Sequence, residues 1–333
     1  MSSIREVAQK AGVSVSTVSK ALNGKGAISE EKIKRIRKVA NDLGYHPNLR
    51  AQNFARKKTN AIIFLAKFPY DAAFVNPHMF EIMRGAEHAL SEKGYHLIVK
   101  ESDEKRALLF MESTIQNRMA DGIIFHASVI NRTLAKKIEE SKFPHIVIGK
   151  PDFSSRLCWV DTNNEISGEL AVTHLLERGY RDIAFLGGGA EDMTSWHRLH
   201  GVRSMLAEHN LSLQTHFVIQ TRSNVLDAYK ASMKLLKLKP LPQAVICANN
   251  LIAMGFVQAM QTLKLKIPDA VAVLTFDTYP LSLCTVPLLT VVDVNMYDMG
   301  QEVGRLICQQ IKRPTTLVQS HTTLPILIKR DST

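Results

Sequence analysis

Apolar side chains recur three and four residues apart through the first 45 positions. Val7, Ala8 and Ala11, then Val18, Ala21 and Leu22, then Ile33, Ile36, Ala40 and Leu43 each line one helical face, which predicts three short amphipathic helices. Ser3, with Glu6 three residues on, forms a capping box that starts the first helix at Ile4, and Gly12 supplies the left-handed turn that ends it. Ser14 or Ser16 can cap the second helix; Ser29 is expected to cap the third and Gly44 to terminate it. Two helices joined across a tight glycine turn make a helix-turn-helix unit, whose second helix leaves Val15, Ser16, Thr17, Ser19 and Lys20 on its free face.

From Asn60 onward the period changes. Short β-branched runs, AIIFLA (61–66), YHLIVK (95–100), DGIIFH (121–126), HIVIG (145–149), DIAFLG (182–187), QAVICA (243–248) and AVAVLTF (270–276), read as strands buried on both faces. Between them lie helical stretches at Glu81–Lys93, Glu165–Arg178, Arg198–Asn210, Leu226–Leu236 and Leu251–Leu263. Such alternation predicts an α/β architecture of parallel, doubly wound sheets, and the 273 residues after position 60 suit two such sheets better than one. Ligands of these folds bind at the carboxyl ends of the strands.

Charge separates the headpiece from the rest. Residues 1–60 carry 13 Lys or Arg against 4 acids, so +9 of the net +11 lies in the first 60 of 333 residues. A basic excess confined to one helical unit is what neutralising DNA phosphates requires. Membrane binding fits poorly, because the apolar faces are short and no stretch approaches the roughly 20 apolar residues of a span. Cys158, Cys247, Cys284 and Cys308 are widely spaced, with no CxxC and no His pair nearby, so buried free thiols are expected rather than a metal site or disulfides. The N-terminus lacks a secretory pattern, which predicts a cytoplasmic protein. Gly187, Gly188 and Gly189 follow a strand without completing a dinucleotide fingerprint, and no P-loop, nucleophile elbow or Ser/His/Asp set occurs. Neither an enzyme nor a cofactor is predicted.

AGVSVSTVSKALNG in the headpiece is followed in order by LGYHPNLRAQNFA, GYRDIAFLGG, ANNLIAMG, IPDAVAVLTFD and PLLTVV. In these motifs the chain resembles the LacI/GalR family of bacterial transcriptional repressors, in register across nearly its whole length. The resemblance implies a helix-turn-helix headpiece over 1–46, a hinge helix and linker over 47–59, and a two-lobed core over 60–333 like a periplasmic sugar-binding protein. Lobe one would take about 60–160 plus 290–322, and lobe two about 161–289 plus 323–333. Base contacts fall to Val15, Ser16 and Lys20, with Lys20 suited to guanine O6 or N7 and Val15 to a thymine methyl group. Ser14, Thr17, Ser19 and Asn23 would hold phosphates. In the hinge, Ala51 and Ala55 are small at i, i+4, and Phe54 stands where the family places a leucine wedge for the minor groove.

For the core, the resemblance implies a sugar effector held by Arg198, Asn249 and Asp277, whose guanidinium, amide and carboxylate complement vicinal hydroxyls. Asp152, His78 and Trp196 are further candidates, Trp196 as a platform for a pyranose ring. The rim departs from the family pattern: His78 and Met79 replace an aromatic pair, Asn250 a common aspartate, and Thr275 and Thr278 a glycine and a second aspartate. The expected partners are a DNA operator of two-fold symmetry, a small carbohydrate effector and a second copy of the chain. The homodimer contact is expected from the helices around Ile82–Leu90 and the neighbours of Met296–Ile311. No apolar heptads follow the strand candidate TLPILIK, which points to a dimer rather than a tetramer. A protein corepressor acting on the same fold is the alternative to a carbohydrate, and a sugar-processing enzyme a remote one.

Overall fold

The computed structural model describes residues 3–22, 28–45, 58–68, 77–189, 192–278, 281–314 and 319–333. The chain divides into two units, Met1–Asn60 and Ala61–Thr333. In the first, α1 (Ile4–Ala11), α2 (Val15–Leu22) and α3 (Glu30–Asp42) close around Val7, Ala11, Val18, Ala21, Ile36 and Ala40. The capping box forms as expected: the Glu6 N–H donates to Ser3 Oγ and the Ser3 N–H to Glu6 Oε2, each at 3.3 Å. Gly12 takes the left-handed conformation at φ 63°, the backbone state a Cβ disfavours. Ser29 precedes α3, but its side chain makes no capping bond. Glu30 and Glu31 in the first turn instead face the positive end of the helix dipole.

The second unit holds two six-stranded sheets. β1 (Ala61–Ala66), β2 (His96–Glu101), β3 (Gly122–His126), β4 (His145–Ile148), β5 (Trp159–Thr162) and β11 (His321–Thr323) run parallel in the order β2-β1-β3-β4-β5-β11. β6 (Ile183–Gly187), β7 (Val218–Gln220), β8 (Ala244–Cys247), β9 (Ala272–Phe276), β10 (Thr290–Asp293) and β12 (Ile326–Ile328) follow the order β7-β6-β8-β9-β10-β12. Only β12 is antiparallel, at an edge. Helices α4 (Pro77–Ser91), α5 (Glu104–Gln116), α6 (Arg132–Ser141) and α11 (Met296–Lys312) cover the first sheet. The second is covered by α7 (Asn164–Glu177), α8 (Met193–Glu208), α9 (Val225–Leu235) and α10 (Asn250–Thr262). The sequence of β1 records this layering. Ile62, Phe64 and Ala66 join the cluster under α4 and α11, Ile63 and Leu65 the one under α5 and α6, and all six strand positions are buried.

Three expectations change. Strand β10 pairs with β9 and so lies in the second lobe, which moves the crossing back to the first lobe from about residue 290 to the segment between Asp293 and Met296. Strand β2 is not buried on both faces: it is an edge strand with Ile98 and Val99 47% and 50% exposed. The helix expected near a dimer contact, α4, has one face packed within the chain, while Phe80 on it is 59% exposed. Ile82, Ala86 and Leu90 pack with Met299, Val303 and Ile307, and a Cβ on Gly300 would fall 2.1 Å from the Ile82 carbonyl oxygen. Three of the four free cysteines are buried, but Cys284 is exposed.

Candidate functional site

In the headpiece, α2 turns Val18 and Ala21 inward and leaves Val15, Ser16 and Lys20 exposed, as the 3.6-residue period requires. Ser14 is the cap rather than Ser16: its Oγ accepts from the Thr17 N–H at 3.1 Å and shares a 2.8 Å hydrogen bond with Thr17 Oγ1. Ser14 and Thr17 therefore satisfy each other at the start of α2, and Ser19 is half-buried. Asn23 and the hinge positions Ala51, Phe54 and Ala55 lie outside the described residues.

A cleft of about 1020 Å³ opens between the two sheets at the carboxyl ends of their strands. The first lobe lines it with His78 at the start of α4, His126 at the end of β3, Lys150 and Asp152 after β4, and Asp161 on β5. The second lobe adds Trp196 and Arg198 from α8, Asn249 and Asn250 at the start of α10, and Asp277 after β9. All six residues singled out in the sequence for an effector reach this one cleft.

Arg198 lies in the second turn of α8, which begins at Met193, five residues before the expected helix start. It is 2% exposed, and the protein itself engages its guanidinium. Nε donates to Asn164 Oδ1 at 3.1 Å, Nη1 to the Ala248 carbonyl at 2.6 Å, and Cζ stands 4.2 Å from the Phe276 ring centroid. Burial lowers its pKa, while Asp277, Asp192 and Asp161 raise it and so keep the cation in place. Close contact between α7 and α8 creates this geometry. A Cβ on Gly168 would lie 2.1 Å from the Arg198 carbonyl oxygen, and one on Gly201 2.0 Å from that of Glu165.

Asp277 is 5% exposed and holds φ 71°, a left-handed conformation rare outside glycine, asparagine and aspartate. Two bonds fix it there: its N–H donates to the Val292 carbonyl at 2.9 Å, and Asn250 Nδ2 donates to its own carbonyl at 3.0 Å. The side chain is thereby aimed at both lobes. Oδ2 lies 3.4 Å from His78 Nε2, across the cleft, and Oδ1 lies 3.9 Å from Arg198 Nη2, too far for a hydrogen bond. Asp277 Oδ1 and Asn250 Oδ1 are both buried without a partner. Buried acceptors of this kind are rare in folded proteins and call for a donor.

Asn249 lines the cleft and also holds the start of α10. Its Oδ1 caps α10 by accepting from the Ile252 N–H at 3.0 Å, and its Nδ2 donates to Ser223 Oγ at 2.9 Å. Trp196 is 47% exposed at the rim, stacked on His200 with centroids 5.6 Å apart and edge-on to His197. Sequence reasoning missed Asn250, Asn164, Asp161 and His126. Burial raises the Asp161 pKa, against hydrogen bonds from the Lys150 and Thr162 N–H groups. Burial also pushes His126 down to about 4. Its Nδ1 accepts from the Ser128 N–H at 3.2 Å, so the neutral ring carries its proton on Nε2. Among the described residues no group of three or more His, Cys, Asp or Glu could hold a metal ion, and no helix is long and apolar enough to cross a membrane.

Residues 3–48 match the family described as bacterial regulatory proteins, lacI family, and residues 172–333 match the periplasmic binding protein-like domain. The chain is 31% identical over 310 residues to the HTH-type transcriptional regulator MalR of Streptococcus pneumoniae, covering 92% of each protein. It superposes on the lac repressor dimer bound to operator and the anti-inducer ONPF with a TM-score of 0.86, at 20% identity over 99% of this chain and 98% of that one. On the transcriptional regulator CelR–cellobiose complex the TM-score is 0.74, at 24% identity over the whole of both chains. With a basic helix-turn-helix unit ahead of two doubly wound lobes, and a transcriptional regulator 31% identical over 92% of the chain, the chain belongs to the LacI family of DNA-binding transcriptional regulators and not to an enzyme family.

Proposed function

We propose that the chain is a repressor that grips a two-fold-related operator as a homodimer and answers to a carbohydrate in the inter-lobe cleft. The observation that carries this reading is α2, with its inner face packed on α1 and α3 and its outer face offering Val15, Ser16 and Lys20 to solvent in a headpiece of net charge +9. Lys20 reads a guanine edge, Val15 packs on a thymine methyl group, and Ser14, Thr17, Ser19 and Asn23 set register on phosphates. Ala51, Phe54 and Ala55 serve the minor groove between the two half-sites. In the cleft, Asp277 and Arg198 anchor hydroxyls with His78, Asn249, Asp152 and Trp196 around them. The cellobiose-bound relative and the unpartnered Asp277 Oδ1 support that part of the reading. Effector binding alters operator affinity because Asp277 belongs to one lobe and His78 to the other, so a ligand between them favours one lobe arrangement over another.

The test begins with selection of operator DNA by the full-length protein from random duplexes, followed by titration of Lys20→Ala on the selected site. The variant is expected to lose about 1–3 kcal/mol and to relax specificity at one base pair per half-site. An equal loss on random DNA reduces Lys20 to a phosphate contact, and failure to select any symmetric site removes the operator reading.

A further inference from the structure

We infer that the effector is an uncharged, hydroxyl-rich glycoside of at least two rings; this deepens the carbohydrate reading above and rests on it. The charges lining the cleft carry the argument. Four carboxylates, Asp152, Asp161, Asp192 and Asp277, stand among the described lining residues against two fixed cations, Arg198 and Lys150. Arg198 keeps only Nη2 outside its hydrogen bonds to the protein, so it offers a ligand no free two-pronged fork. Nε and Nη1 are bonded to Asn164 and Ala248, and its flat face lies on Phe276. Lys150 is exposed, its Nζ 5.8 Å from the Trp159 ring centroid. A phosphate or carboxylate on the ligand therefore enters against a surplus of like charge, without a free bidentate guanidinium to offset it.

Two buried acceptors of the cleft call for donors from a ligand. Asp277 Oδ1 and Asn250 Oδ1 are buried acceptors with no partner, and a hydroxyl satisfies such an oxygen while its own oxygen stays free to accept. Size sets the second half of the inference. At about 1020 Å³ the cleft stands at the top of the range that encloses a drug-sized ligand, so one pyranose ring leaves much of it filled with water. Trp196, exposed at the rim, supplies a face on which a second ring stacks.

Calorimetric titration of the full-length protein tests this with maltose, cellobiose, trehalose and sucrose. Glucose and ribose serve as single rings, and glucose 6-phosphate, trehalose 6-phosphate, cellobionate and glucosamine as charged probes. At least one neutral disaccharide is expected to bind at least tenfold more tightly than any single-ring or charged sugar. Tightest binding by a phosphorylated, acidic or aminated sugar, or by glucose or ribose, overturns the inference and leaves the carbohydrate reading standing. Silence from every sugar, with operator binding intact, removes the carbohydrate reading and this inference with it.

Discussion

Asp277 concentrates three demands in one residue: a left-handed backbone, a buried carboxylate and an oxygen without a donor. Two substitutions separate them. Asp277→Asn keeps a side chain that tolerates φ 71°, whereas Asp277→Ala places a Cβ there with no local hydrogen bond to compensate. Both remove the charge opposite Arg198, so the difference between them reports the backbone together with the buried side-chain amide that Ala lacks. The Ala variant is expected to be about 1 kcal/mol less stable than the Asn variant in urea titrations. Both are expected to lose the effector-induced rise in Tm; a normal rise in the Asn variant takes the carboxylate out of ligand binding. Asp277 and Arg198 were legible in the sequence because their motifs carry them. Asn250 was not, and looked like a mere departure from the family pattern. Its meaning depends on a bond to the carbonyl of a residue 27 positions away, which no local spacing encodes.

Among the elements, the crossing of α7 and α8 decides whether Arg198 meets Asn164 at all. Gly201→Ala separates two opposed effects. Alanine is the better helix former by about 1 kcal/mol, so an uncrowded glycine here would give a more stable variant. Its Cβ, however, would lie 2.0 Å from the Glu165 backbone oxygen, which cannot move without the whole helix. Crowding therefore wins, and the variant is expected to lose about 1–3 kcal/mol of stability. It should also bind the effector more weakly, because the spread moves Arg198 away from Asn164. An unchanged or raised urea midpoint shows that the helices slide apart freely. Periodicity made most helices and central strands legible, since burial on two faces leaves long β-branched runs such as AIIFLA. YHLIVK has the same composition, yet it forms the edge strand β2. Hydrophobicity reports that a face is covered in the end, not whether the cover comes from the same chain.

That distinction sets the prediction for the whole molecule. Among the described residues the first lobe exposes, besides Phe80 on α4, Ile98 and Val99 on β2 and Leu109 on α5, and the second exposes Leu226 on α9 and Val286 before β10. An edge strand with apolar side chains facing water invites pairing with another chain. Its own lobe cannot cover it, because the α4 and α11 faces are already closed on each other. A two-fold copy can, and the same symmetry then presents two headpieces to two half-sites. The double variant Ile98→Lys, Val99→Lys places four like charges at a two-fold contact while leaving the cleft and the headpiece core untouched. Sedimentation equilibrium is expected to find a monomer that still binds effector, and operator affinity should fall by at least tenfold as one half-site is lost from each binding event. A variant that remains a dimer with unchanged operator affinity assigns the contact elsewhere, with Leu226 and Val286 of the second lobe the next surface to charge.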